Sequence, residues 1–130
     1  MNKKEAKQNY RLNARPMGVF QIRNLQNEKV FVGSSLNLDG ILNRHEFALK
    51  MDGHANKSLQ KDWNAFGAEN FAFEILEELE PRENLDSKTE LTVLEDLWLE
   101  KLEPYAEKGY NERKLTREER LRMIAANRKS

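Results

Sequence analysis

Beyond Pro16 the chain changes from a polar stretch to short apolar runs, VFQIR and VFVGSS, on either side of the polar break LQNEK. Val19, Phe20, Ile22, Val30, Phe31 and Val32 are the β-branched, aromatic and aliphatic types that suit a pleated, half-buried surface. Two such runs joined through a break containing Asn27 predict a β-hairpin. Gly33 closes the second run, where a residue without Cβ permits a bend or a close backbone approach.

Helical spacing follows. Leu38, Leu42, His45 and Leu49 recur at three- and four-residue intervals and predict a helix from Asn37 or Asp39 to Met51, with Gly40 weakening its first turn. A second helix is predicted over 57–66, with Leu59, Trp63 and Phe66 on one side and Gly67 as its C-terminal cap. In FAFEIL, Phe71, Phe73 and Ile75 alternate with smaller or polar residues and predict a third strand. The polar segment PRENLDSKTE leads into the longest helix, over 89–102, which Pro104 stops. A turn around Gly109 brings in Tyr110 and Asn111. Thr116-Arg117-Glu118-Glu119 then fits the capping-box pattern of a last helix. That helix would carry a narrow apolar stripe of Leu121, Ile124 and Ala125 beside Arg117, Arg120 and Arg128.

One carboxylate interrupts the pattern of the long helix. At about 100° per residue, Leu91, Leu94, Trp98 and Leu102 share one arc, and Glu95 falls inside it, about 40° from Leu91. Asp96 and Glu100 fall on the opposite side. A charge on a core-facing stripe needs a partner, because burying it bare is costly. Two readings stand: Glu95 is an oxygen ligand for a divalent cation such as magnesium, or it lies at the margin of the face and reaches solvent or Lys101.

Composition narrows the classes. With 130 residues, 38% hydrophobic and 34% charged, the chain suits one small domain with a modest core. It has no cysteine, which excludes disulfides, thiolate metal sites and a cysteine nucleophile. No run approaches the roughly 20 apolar residues of a membrane span, and the basic N-terminus lacks the apolar segment of a secretory signal. A cytoplasmic protein is the expectation.

The formal net charge is +0, yet the charge is segregated. Residues 1–17 carry a net of +4, residues 112–130 another +4, and the middle a net of −8 that lies entirely between Glu74 and Glu103. A uniformly basic nucleic-acid footprint is therefore absent. Phosphate contacts would fall to the two tails or to local side chains; a solvated role for both tails is the alternative.

Taken in order, these pieces resemble the GIY-YIG nuclease family. Gly18-Val19-Phe20 stands on the first strand and Phe31-Val32-Gly33 on the second. Then come Asn43-Arg44-His45, the stretch from His54 to Gly67, Phe71 to Leu76, Glu95 ahead of Trp98, and Gly109-Tyr110-Asn111. The resemblance covers 17–111 and divides the chain into a basic arm (1–16), this domain (17–111) and a basic helical tail (112–130). It implies an α+β fold, a small three-stranded antiparallel sheet flanked by helices, and phosphodiester cleavage with one divalent ion, magnesium or manganese.

The family's reaction uses a tyrosine on each of the first two strands, a phosphate-facing arginine on the first helix and a metal-holding glutamate. Proton transfer requires a labile proton, and developing phosphate charge requires a fixed cation. Here Phe20 and Phe31 occupy the tyrosine positions, with no hydroxyl to exchange, and Ile41 the arginine position. Glu95 remains as the metal ligand, with Arg44, His45 and Asn111 at peripheral matching positions. Arg44 lies one turn beyond Ile41 on the same side, and His45 titrates near neutrality, so both are candidate catalytic residues, although packing is the ordinary role of a histidine such as His45 or His54 on an apolar face. Arg44 and Lys61 are candidate nucleic-acid contacts. The expectation is a nuclease-like domain with a degenerate site that binds DNA or RNA or regulates. The alternatives are a divalent-metal-dependent DNA endonuclease with a rearranged site, and a protein-interaction module. Trp63, Phe66, Phe71, Phe73 and Trp98 are expected in the core, leaving Tyr10 and Tyr105 as stacking candidates.

Overall fold

The computed structural model describes residues 15–113 and 117–129. Most of the expected basic arm, with Tyr10, and the capping residue Thr116 lie outside them. Strand β1 (Met17–Asn24) is central, flanked by β2 (Val30–Ser35) and β3 (Phe71–Leu79) in the order β2-β1-β3. Both pairings are antiparallel, Ile22 facing Phe31 on one side and Phe73 on the other. Between β1 and β2 the turn is fixed by side chains: Asn24 Oδ1 accepts from the Gln26 N–H (2.9 Å) and Asn27 Oδ1 from the Lys29 N–H (3.0 Å). Glu28, and not Asn27, takes the left-handed conformation, with φ 65°.

The other elements are α1 (Leu38–Lys50), α2 (Lys57–Phe66), α3 (Ser87–Leu102) and α4 (Arg117–Lys129). The weak first turn of α1 is compensated by Asn37, whose side-chain oxygen accepts from the Gly40 N–H at 3.1 Å. Asn56 caps α2 in the same way through the Leu59 N–H (2.9 Å). Gly67 ends α2 at φ 91°, a conformation open to residues without Cβ, and its N–H reaches the Trp63 carbonyl at 2.9 Å.

Because successive strand residues point to opposite faces, β1 feeds two cores and is buried on both sides. Phe20 and Ile22 pack with Leu38 and Leu49 of α1, Leu59 and Trp63 of α2, Phe71 and Tyr110, joined by half-buried Phe31, Ile41 and Phe73. Val19, Val30 and Val32 pack on the other face with Leu99, Leu94, Trp98 and Leu102 of α3. The expected α+β architecture, a three-stranded antiparallel sheet with flanking helices, is the one observed. The expected core aromatics divide: Trp63 and Phe71 are buried, whereas Phe66 is exposed. Tyr105 is half-buried, and among the described residues the most exposed aromatic residue is Phe47, at 66%.

Candidate active site

The segment 109–111 closes the outer edge of β2. The Tyr110 N–H donates to the Val30 carbonyl at 2.9 Å. The Asn111 side chain then imitates a strand: its Oδ1 accepts from the Val32 N–H and its Nδ2 donates to the Val32 carbonyl, both at 2.8 Å. An open edge is thereby paired. Tyr110 continues inward. Its hydroxyl donates to Asp62 of α2 (2.7 Å) and accepts from Nδ2 of the fully buried Asn24 (3.1 Å). Burial, reinforced by the Asp62 carboxylate, pushes the phenol up to about 12. Tyr110 is therefore a neutral, bound structural group.

On the same sheet face four rings gather. The Phe20 ring lies 5.4 Å from His45 and 6.5 Å from Phe31 between centroids, and Phe31 lies 5.5 Å from His45 and 5.9 Å from His54. Gly33 makes room: a Cβ there would stand 2.7 Å from the Phe20 ring tip, inside van der Waals contact. Phe20 and Phe31 thus keep the packing of aromatic residues at these positions and supply no hydroxyl.

His45 Nδ1 and His54 Nε2 are 2.7 Å apart. His54 Nδ1 accepts from the Asn56 N–H at 2.9 Å, and the His54 N–H donates to Gln60 Oε1 at 3.0 Å. Gln60 is anchored in turn by donating to the Leu49 carbonyl (3.0 Å). Burial, with His54 and Arg44 adding to it, lowers His45 to about 4, and burial also lowers His54. Both rings are therefore neutral at pH 7. An Nδ1 that accepts from a backbone N–H carries no proton, so the proton of His54 sits on Nε2 and is donated to His45 Nδ1. The proton of His45 then sits on Nε2, and that atom can only donate.

The remaining expected residues are spread out. Arg44 and Lys61 are exposed on α1 and α2, and Ile41 packs half-buried against the Phe20 core. Glu95 is half-buried on α3, within the arc that packs on the sheet. Lys101, named as its possible partner, lies over the Trp98 ring at 4.9 Å. The helix carrying Glu95 packs on the sheet face opposite the histidines. Among the described residues no three His, Asp or Glu side chains come together as a metal site. The histidine bond escaped sequence reasoning, although two histidines nine residues apart across a helix end were its available signal. The Asn24–Tyr110–Asp62 chain left no local signal.

A three-stranded sheet with an aromatic and histidine cluster on one face and a Gly-Tyr-Asn edge clasp defines a nuclease-like α+β domain. The sequence matches the GIY-YIG catalytic domain over residues 16–111, and the chain belongs to that family. Among solved structures it is similar to the catalytic domain of the homing endonuclease I-TevI, at 32% identity and a TM-score of 0.63, covering 75% of this chain and 99% of that one. A Glu-to-Ala variant of the intron endonuclease I-TevI catalytic domain matches at 32% identity and a TM-score of 0.63, covering 78% of this chain and 97% of that one. No helix among the described residues is long and apolar enough to cross a membrane.

Proposed function

We propose that this GIY-YIG domain binds nucleic acid, in a binding or regulatory role, without efficient cleavage. The observation that carries the reading is that Phe20, Phe31 and Ile41, which stand where the family resemblance implies two tyrosines and an arginine, all pack into one core as apolar groups. Two positions that need an exchangeable proton hold none, and a position that needs a fixed cation holds a hydrocarbon. His45 does not replace the lost base, because its Nε2 is protonated in the neutral pair and its ring resists a second proton until the pH nears 4. It serves instead as an N–H donor toward a phosphate oxygen, beside the exposed guanidinium of Arg44. The basic segments 1–16 and 112–130 act as arms of the 17–111 domain and, with Lys61, supply further phosphate contacts.

The test is cleavage of supercoiled and single-stranded DNA with magnesium or manganese by the native protein and by Glu95→Ala. No cutting by either, together with DNA or RNA binding that weakens steeply as salt rises, is the expected result. Cutting by the native protein that is lost in Glu95→Ala would overturn the reading in favour of a rearranged endonuclease. Absence of nucleic-acid binding at every salt concentration would overturn it in favour of an interaction module.

A further inference from the structure

Asn56 stands where three parts of the molecule meet, and each of its backbone and side-chain polar atoms is engaged. Its side-chain oxygen accepts from the Leu59 N–H (2.9 Å) and its carbonyl from the Gln60 N–H (3.0 Å), which together open α2. Its Nδ2 donates to the Tyr110 carbonyl at 2.7 Å, and its backbone N–H donates to His54 Nδ1 at 2.9 Å. Tyr110 is held from the other side as well, by its own N–H on the Val30 carbonyl and by neighbouring Asn111 on Val32. A path of hydrogen bonds thus runs, residue by residue, from the β2 edge through Tyr110, Asn56 and His54 to His45. Helix capping alone does not require that path, because a serine or aspartate would cap α2 as well.

Which nitrogen of a neutral imidazole holds the proton is set by the hydrogen bond that the other nitrogen makes. A backbone N–H cannot be removed by substitution, only re-aimed, and the two side-chain bonds of Asn56 hold it at φ −84° and ψ 105°. Were that N–H turned away, His54 would be free to carry its proton on Nδ1, and its Nε2 would accept from His45 instead of donating. The His45 proton would then sit on Nδ1, and its Nε2 would meet a ligand as a lone pair. We propose that Asn56 is the positioning residue of the histidine pair: its side chain, braced on the Tyr110 carbonyl, aims the N–H that keeps the His45 proton on Nε2. The seating of Tyr110 and Asn111 on β2 and the place of the His45 proton are therefore coupled. The consequence for binding rests on the reading of His45 as a donor toward phosphate. A phosphate oxygen, which only accepts, is bound by the first tautomer and repelled by the lone pair of the second.

Nitrogen-15 spectra of the imidazole rings in the full chain at pH 7 read the tautomers directly. In the native protein each ring is expected to show a bare Nδ1 and a protonated Nε2. Asn56→Ser keeps an oxygen for the Leu59 N–H and loses the amide on Tyr110. Its circular dichroism should stay native while the ring signals of both histidines move toward the average of the two tautomers. Asn111→Ala removes two bonds to Val32 and none to either histidine or to Asn56, and should move those signals the same way. Affinity for labelled single-stranded DNA should fall about three- to tenfold in both variants, with an unchanged salt dependence because no charge is lost. A native protein with its ring protons on Nδ1 overturns the proposal whatever the variants do. Native ring signals in folded Asn56→Ser also overturn it, as does movement there without movement in Asn111→Ala. Moved tautomers in a protein that binds no DNA uphold the positioning role and overturn the phosphate reading alone; DNA binding with unmoved tautomers does the reverse.

Discussion

The two faces of the central sheet are built on different principles. The face under α3 is closed by aliphatic side chains, Val19, Val30, Val32 and Leu99, with half-buried Glu95 on the helix arc beside them, and Trp98 Nε1 donates to Glu77 (2.9 Å) in an exposed position. The face under α1 and α2 buries Asn24, His54 and Gln60 among its apolar residues. Every buried side-chain nitrogen and oxygen among the described residues is nevertheless satisfied. An aliphatic face tolerates adjustment, since its attraction has no direction. A buried polar network does not, because removing one partner strands another. That asymmetry places fixed tautomers and oriented N–H groups on one side of the molecule only.

Four measurements sharpen or break this comparison. The largest effect is expected for Phe20→Ala, which empties the centre of the polar face. It should cost about 3–5 kcal/mol in urea denaturation, and a loss below 1 kcal/mol would mean that the ring cluster is not well packed. Tyr110→Phe keeps the ring and removes one oxygen, leaving Nδ2 of buried Asn24 without its acceptor. A cost of about 1–3 kcal/mol is expected, and a neutral result would show that the network is not the source of the face's rigidity.

Acid provides the third. The folded pKa of His45 lies below its ordinary value, so the neutral form stabilises the fold. That contribution is fully present above about pH 6.5 and is lost as the pH falls toward about 4. The expected decline is on the order of 1–2 kcal/mol, discounted for partial exposure of the ring. It should be smaller in His45→Gln, and an equal decline in that variant would assign it to other groups. The smallest effect is expected for Trp98→Phe, which deletes an exposed hydrogen bond on the aliphatic side while keeping much of the ring. A change under about 0.5 kcal/mol beyond the lost packing would match the contrast. A cost as large as that of Tyr110→Phe would erase it.

Local patterns carried much of the architecture. The 57–66 helix, the VFVGSS strand and the Gly67 cap occur at the predicted positions because period, capping and glycine conformation are decided within a few residues. The arc of α3 is likewise as its spacing implies, with Leu91 and Leu99 buried and Glu95 half-buried among them. The exposure of Val93 and Leu97 follows from the same geometry, but their apolar character gives no local warning that they face outward. Phe66, expected in the core, is exposed for a related reason: periodicity says which residues share a face and not what covers it.

The candidate site was legible as residues and not as chemistry. The absence of a hydroxyl on Phe20 and Phe31 is a fact of the sequence alone, as is the separation of acidic and basic segments. That His45 is a donor was decided by His54, whose own proton is placed by the backbone N–H of Asn56. That Tyr110 is a buried brace was decided by Asn24 and Asp62, which lie 86 and 48 residues away along the chain. The sequence determined which side chains could carry protons and charge and which local elements they stand on, because composition and short-range periodicity are properties of neighbouring residues. Only the tertiary structure decided which proton sits on which nitrogen, and that Glu95 rides the helix opposite the histidines, because burial and hydrogen-bond direction arise when distant segments exclude water together.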